Sequence, residues 1–390
     1  MISAVMPTYG RWDVAVDRGE GPYLYATDGR KFLDFTSGIA VTGLGHCHPH
    51  LVGAVTEQAK RLWHTSNLFQ IPGQERLAQR LVDNTFADTV FFGNSGAEAC
   101  ELALKITRKY QAETGHPERY RIVACEGSFH GRTLASLAAA GNEAYLKGFG
   151  PPMEGFEHVA FGNLNEMRAA IGKETAAIFV EPIQGEGGVR AGPPGYLRGL
   201  REIADEFGLL LVYDEVQSGM GRTGKLFAHE WENVPPDVMA IAKALGGGFP
   251  IGACLATERA ATGMVAGTHG STFGGNPLAV AAGNAVLDVM LAPGFFERVD
   301  AMAELLKGRL EELVRSYPRL FSEVRGSGLL LGIRCVVPAA DFIAKLRQNG
   351  LLCLTAGENV LRILPPLIVA EREIDEALRI MTKVAAEWPT

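Results

Sequence analysis

The stretch DVMAIAKALGGGFPIG, residues 237 to 252, carries one lysine, Lys243, out of an apolar run that reads as a buried strand over Val238 to Ala242 and into three glycines. An unpaired buried ammonium costs several kcal/mol or gives up its proton well below the usual pKa of about 10.4. A lysine so placed is suited to work as a neutral amine, a nucleophile toward an aldehyde. A second apolar run, GLLLVYDEVQSGMGRTG, ends in Asp214 and Glu215. Successive side chains on a strand point to opposite faces, so only one of these carboxylates can face a given ligand. Asp214 stands one strand–helix–strand step before Lys243, which brings an acid and a lysine to neighbouring strand ends. A third strand, ending VFF, opens into GNSGAEACELALK, small residues leading into a helix whose free amides and dipole favour a phosphate. Read alone, Ser95 and Glu98 also form an ordinary capping box.

No GxxxxGKS or GxxxxGKT pattern occurs at that helix, which argues against a P-loop and for a small phosphate held by backbone amides. Phosphate cradle, carboxylate and buried lysine together point to pyridoxal 5'-phosphate. Its aldehyde takes the lysine as an imine, and its pyridine nitrogen needs a carboxylate such as Asp214 to stay protonated.

These groups require a frame. Strand candidates are Thr89 to Phe92, Arg121 to Cys125, Ala176 to Val180, Leu209 to Tyr213, Val238 to Ala242 and Ala253 to Ala256. They alternate with helices such as Ala97 to Tyr110 and Tyr196 to Phe207, the latter stopped at Gly208. Strands apolar on both faces between helices predict an α/β fold with a mostly parallel sheet, whose ligands bind beyond the carboxyl ends of the strands. The chain ends read differently. WDVAVDRGEGPYLYATDGRKFLDF has the pattern of a β-meander with a DG turn. From about Pro277 a helical pattern runs toward Tyr317, and then FSEVRGSGLLLGIR and ENVLRILPPLIV read as strands flanking a helix over Ala339 to Asn349. The expected division is 1–50 as the N-terminal segment of a smaller α+β domain, 51–285 as the large cofactor-binding domain, and 286–390 as the rest of the small domain.

Composition narrows the function. The 390 residues are 47% hydrophobic and 21% charged, so a large core is expected and disorder is not. A net charge of -7 lacks the basic stripe that nucleic-acid binding requires. No apolar stretch approaches the roughly 18 residues of a membrane span, and MISAVMPTYG has neither a basic n-region nor an apolar h-region, so a cytoplasmic protein is expected. The six cysteines show no CxxC spacing, as expected in a reducing compartment. GHCHPH gathers His46, Cys47, His48 and His50, but adjacent ligands rarely reach one metal, and a turn is expected there rather than a metal site.

The ordered motifs SGIAVTGLGHCHP, FFGNSGAEACELALKITRK, GSFHGRT, EPIQGEGG, LVYDEVQSGMGRTG, IAKALGGGFPIGA, HGSTFGGNPLA and VLRILPPL span nearly the whole chain. They resemble the class III aminotransferases of the pyridoxal-phosphate fold type I group, and within it the acetylornithine enzymes of arginine synthesis. The resemblance implies that Lys243 is the Schiff-base lysine and the acid–base that moves the substrate proton, and that Asp214 holds the pyridine nitrogen. It places Gln217 near the phenolic oxygen, Gly96 and Ala97 at the phosphate, Phe129 against the ring, and Glu215 and Val216 beside the cofactor. Thr272, in GSTFGG, corresponds to a threonine that reaches the phosphate bound in the neighbouring subunit, which implies a homodimer with shared active sites.

Substrate recognition is implied by two arginines. Arg132, with Ser271 nearby, is expected to take the distal carboxylate of glutamate and the α-carboxylate of the acylated diamine. Arg362 is expected to take the α-carboxylate of glutamate, and Glu181 to pair with Arg362 when the amine substrate is bound. The implied reaction moves the δ-amino group between N2-acetyl-L-ornithine and 2-oxoglutarate in two half-reactions. Ile39 stands where the ornithine enzymes carry tyrosine, and Thr42 where the acetylornithine group commonly has asparagine. Rival amine donors are N-succinyl-diaminopimelate, succinylornithine, ornithine and 4-aminobutyrate. An aminomutase would need no exchange at Arg362, and a regulatory protein without turnover would call for a DNA-reading module that is not apparent.

Overall fold

The computed structural model describes residues 3–389. Met1, Ile2 and Thr390, the outermost residues of the expected segments 1–50 and 286–390, lie outside it. At the centre stands a seven-stranded sheet in the order Thr89–Gly93, Gly252–Ala256, Val238–Ile241, Leu210–Asp214, Thr175–Val180, Arg121–Cys125, Phe156–Val159. Gly252–Ala256 runs antiparallel to both neighbours, and the other pairings are parallel.

Helices cover both faces, and the period of two assigns residues to each. Ala177, Phe179, Val212 and Ala240 pack against Ala99, Leu102, Ala103 and Ile106 of the Gly96–Glu113 helix. Ile178, Val180, Leu211 and Tyr213 pack against Leu197, Leu200, Ile203 and Ala204 of Tyr196–Phe207. Double coverage explains why these strands read as continuous apolar runs. The expected strand through Ala242 ends at Ile241, because Lys243 has φ +48 and opens a 3-10 turn.

At the chain ends, Val16–Glu20, Tyr23–Ala26 and Lys31–Asp34 form the meander, and Lys31–Asp34 also pairs in parallel with Leu351–Leu352 through Leu33 and Leu351. A second antiparallel sheet runs Phe321–Ser327, Leu330–Cys335, Val360–Ile363, Leu354–Ala356. Helices Phe295–Ser316, Ala339–Gln348 and Glu371–Ala386 bury Leu310, Phe342 and Ile380 in one cluster with Leu331 and Ile363 of that sheet. The long helical pattern from Pro277 is two helices, Pro277–Met290 and Phe295–Ser316, bent by 75°. Pro293 cannot continue a helix, and Gly294 takes φ +82 as the next N-cap. Among the described residues no single helix is long and apolar enough to cross a membrane.

Candidate active site

Asp214 and Lys243 emerge at the same edge of the central sheet, because Leu210–Asp214 and Val238–Ile241 are parallel neighbours with Asp214 beside Ala240. Together they border a cavity of about 440 Å³ whose walls include Gly96, Ala97, Phe129, Asp214, Gln217 and Lys243. Burial lowers the Lys243 ammonium to about 8, and the Arg362 cation pushes the same way against the opposing pull of Glu186, Asp214 and Glu181. The left-handed backbone of a lysine costs of order 1–3 kcal/mol and marks a residue held in place by its surroundings.

The helix Gly96–Glu113 begins at the cavity wall. Ser95 is its N-cap, accepting from the Glu98 amide at 3.2 Å. Glu98 in turn accepts from the Asn94 amide at 2.9 Å, one residue earlier than a capping box requires. Capping therefore does not compete with ligand binding: it uses the Glu98 amide and leaves the first amides of the helix, at Gly96 and Ala97, facing the cavity. A Cβ on Gly96 would meet Val216 at 2.7 Å, which accounts for glycine at this point.

Strand parity separates the two acids. Asp214 shares the face of Val212 and lines the cavity, with Oδ1 accepting from Val216 N at 2.9 Å and Oδ2 from His130 Nδ1 at 2.8 Å. Glu215 turns to the other side, where its carboxylate accepts from Ser218 Oγ, Ala228 N and His229 N at 2.7 to 2.9 Å. That carboxylate is satisfied within the protein, and of the two residues expected beside the cofactor, Val216 lines the cavity and Glu215 does not.

Arg362 is 2% exposed, and its Nη1 donates to Glu186 Oε1 at 2.6 Å and to Gln217 Oε1 at 3.0 Å. Glu181, expected to pair with Arg362 when the amine substrate is bound, lines the cavity, and its Oε2 accepts from Phe129 N at 3.1 Å rather than from Arg362. Burial, reinforced by Asp214, holds the Glu181 carboxyl well above the usual range. The reason lies in EPIQGEGG, which supplies the first strand and the loop of a hairpin of Ile183–Gln184 and Arg190–Ala191. Glu181 sits at its base and Glu186 in its loop, whose carbonyl accepts from Gly357 N at 2.8 Å beside the strand that carries Arg362. Arg132 is exposed at the rim, with its guanidinium 3.7 Å from the centre of the Tyr145 ring.

Ser271 and Thr272 lie outside this cavity. Ser271 Oγ accepts from Asn94 Nδ2 at 3.2 Å and from Gly274 N at 3.0 Å, and Thr272 is exposed. The side chains of GHCHPH go separate ways, His46 to Asp34, His50 to Asp288, and Cys47 to the surface. Near the cavity, Ser37, Gly38, Ile39 and Ala40 have φ from 45 to 65, a left-handed run. Asp34 braces its start, accepting from Thr36 Oγ1 at 2.6 Å and Ser37 N at 3.2 Å, and Val41 then enters the cavity wall.

The Aminotransferase class-III family model matches residues 5–385. The chain is a class III aminotransferase. It is 58% identical over 382 residues to acetylornithine aminotransferase 1 of Bradyrhizobium diazoefficiens, covering 98% of this chain and 94% of that relative. Among solved structures, N-acetylornithine aminotransferase from Stenotrophomonas maltophilia superposes with a TM-score of 0.85 at 38% identity over 97% of each chain. Ornithine aminotransferase from Toxoplasma gondii superposes with a TM-score of 0.94 at 32% identity, over 98% of this chain and 92% of that one.

The cofactor of a class III aminotransferase is pyridoxal phosphate, and the cavity suits it. The open helix end at Gly96 and Ala97 matches the phosphate, Asp214 a ring cation, and Lys243, with its lowered pKa, an aldehyde. Three neighbours in this aminotransferase escaped the motif reading: Glu186, His130 and Cys100, the last with Sγ 3.3 Å from Asp214 Oδ2. Glu186 was visible as the second acid of EPIQGEGG, and His130 as the residue after Phe129 in SFHGRT. Nothing in the sequence marked Cys100.

Proposed function

We propose that this aminotransferase moves the δ-amino group between N2-acetyl-L-ornithine and 2-oxoglutarate, giving N-acetyl-L-glutamate 5-semialdehyde and L-glutamate, as a step of arginine synthesis. The observation that carries the reading is the Arg362–Glu186 pair, which adjoins the cavity through the hydrogen bond from Arg362 to the wall residue Gln217. The guanidinium side chain is 2% exposed and the carboxylate 29% exposed, so the acid is the partner free to leave. With Glu186 in place, an amine end bearing no carboxylate can lie there. With Glu186 withdrawn, Arg362 takes the α-carboxylate of glutamate in a bidentate fork. One cavity then serves two unlike substrates in turn. The relatives named for acetylornithine support the acyl-amine donor.

Bound pyridoxal phosphate supplies an aldehyde that accepts the amino group and a ring that withdraws electrons from the reacting carbon. The chain's own groups do the rest. With the cofactor bound, the Gly96 and Ala97 amides would hold the phosphate, Asp214 would meet the ring nitrogen, and Phe129 and Gln217 would flank the ring. Lys243 Nζ, as a neutral amine, would take the proton from the δ-carbon. Arg132 takes the carboxylate common to both substrates.

The assembly we propose is a homodimer in the cytoplasm, with segments 1–50 and 286–390 as the small domain around the 51–285 cofactor domain. Leu62, Trp63, Leu68, Phe69 and Phe273 are 47 to 92% exposed, large apolar side chains of the kind that mark an interface when they gather on one face. Thr272 and Ser271 adjoin it, where they would meet the partner's cofactor and substrate. The deciding experiment follows loss of the cofactor's aldehyde absorbance in single turnovers with N-acetylornithine, succinylornithine, N-succinyl-diaminopimelate, ornithine and 4-aminobutyrate. N-acetylornithine should give the highest rate at low concentration, and a clear preference for another amine would replace the reading.

A further inference from the structure

Asp214 accepts on Oδ2 from two side chains, His130 Nδ1 at 2.8 Å and Cys100 Sγ at 3.3 Å, while Val216 N occupies Oδ1 at 2.9 Å. The three donors come from three segments: the Gly96–Glu113 helix, the SFHGRT loop and the chain just beyond Asp214. Cys100 is four residues along its helix from Gly96, on the same face. Its thiol is 1% exposed, and burial together with Asp214 pushes it well above its ordinary pKa, so it keeps its hydrogen and acts as a donor. His130 stacks on Phe179 at 4.1 Å, and its Nε2 is buried without a partner, which places the ring hydrogen on Nδ1, facing the carboxylate.

The same three side chains bring their ligand atoms within 4.8 Å of one another, a spacing compatible with a metal. The detailed distances favour hydrogen bonds. Two ligands about 2.1 Å from a tetrahedral ion stand roughly 3.4 Å apart, whereas His130 and Asp214 are 2.8 Å apart. A thiol that keeps its hydrogen is also a poor ligand.

We propose that Cys100 is a positioning residue of this aminotransferase: its thiol, with His130, fixes the plane of the Asp214 carboxylate so that it meets the cofactor's ring nitrogen. The proposal rests on reading Asp214 as the acid at that nitrogen. A thiol steadies the carboxylate without adding a cation that would compete for its charge. Because one helix carries Cys100 as well as Gly96 and Ala97, it gauges the distance between the phosphate end and the ring-nitrogen end of the site.

The test begins with the cofactor-free protein. The infrared difference between wild type and Cys100→Ser isolates the S–H stretch of Cys100, expected below the frequency of an unbonded thiol and moving upward in Asp214→Asn. A band at the unbonded position overturns the proposal whatever Asp214 does in the reaction. In the holoenzyme, Cys100→Ala should weaken cofactor retention about fivefold, as loss of one hydrogen bond would, and Cys100→Ser, which keeps a donor, should stay within about twofold of wild type. Equal losses in both variants mean packing alone and overturn the proposal. If the infrared band behaves as expected but Asp214→Asn turns over at a near-normal single-turnover rate, the reading of Asp214 fails and the proposal falls with it.

Discussion

Arg362 Nη1 lies 2.6 Å from Glu186 Oε1, and the arginine is the buried member of the pair. A buried guanidinium that loses its acid is destabilised by about 3–5 kcal/mol unless another carboxylate replaces it. The pair is therefore poised for exchange, and Glu186→Gln should unbalance the two halves of the reaction. Glutamate should bind roughly tenfold more tightly, as one exposed competitor is removed, while preference for N-acetylornithine declines. Arg362→Ala should do the converse, slowing the glutamate half by roughly 30- to 100-fold. Single-turnover rates measured separately for each half decide the matter, and equal proportional losses in both would reject the exchange.

Glu181→Gln should be close to silent. Burial holds its carboxyl well above the usual range, and the Gln side-chain oxygen can still accept from Phe129 N. Both half-reactions should stay within about twofold of wild type, whereas Glu181→Ala leaves the half-buried Phe129 amide unpaired and should cost about 1 kcal/mol in thermal or urea unfolding. A marked change of substrate balance in Glu181→Gln would return the exchange role to Glu181.

The lowered Lys243 predicts a pH profile. Below about 8 the ammonium form dominates and is not nucleophilic; above it the neutral amine is exposed to the cavity. Capture of pyridoxal phosphate by cofactor-free protein should thus rise with pH around a midpoint near 8, well below that of an ordinary lysine. Arg362→Ala removes a cation that lowers this value and should move the midpoint up. Glu186→Gln removes an anion that raises it and should move the midpoint down. Borohydride treatment of the holoenzyme should fix the cofactor on the peptide containing Lys243, and Lys243→Ala should stay folded without turnover.

Leu68→Asp places a charge in the exposed apolar surface beside Phe273 and Thr272. Sedimentation should show a shift from dimer to monomer, accompanied by weaker cofactor retention as Thr272 of the partner is lost. A fully active monomer would refute shared active sites.

Much of this was legible in the sequence for one reason: the elements that carry the site are strands buried on both faces, and their apolar runs end where the chemistry begins. Asp214 and Lys243 could be read because a charged residue after such a run is conspicuous. Glu186 could not be preferred over Glu181, because the choice depends on a hairpin loop, built from Ile183–Gln184 and Arg190–Ala191, that swings the second acid toward a strand some 170 residues away. The 75° bend before Phe295 was obscured because apolar spacing continues through it, although Pro293 and Gly294 were in view. Cys100 is one of many small buried residues on its helix, and only its distance to Asp214 distinguishes it.

Leu33 pairs with Leu351, and Asp34 with Leu352. During translation at about 5–20 residues per second, the third strand of the N-terminal meander waits roughly 15 to 60 seconds before its neighbour leaves the ribosome. Over that interval Phe32, 2% exposed in the finished fold, lacks Leu352, with which it clusters beside Ala26. The chain's beginning is therefore among the last parts to be secured, and an N-terminal fusion or a slow stretch of codons near the end should lower the yield of folded protein more than the same change placed between the central strands.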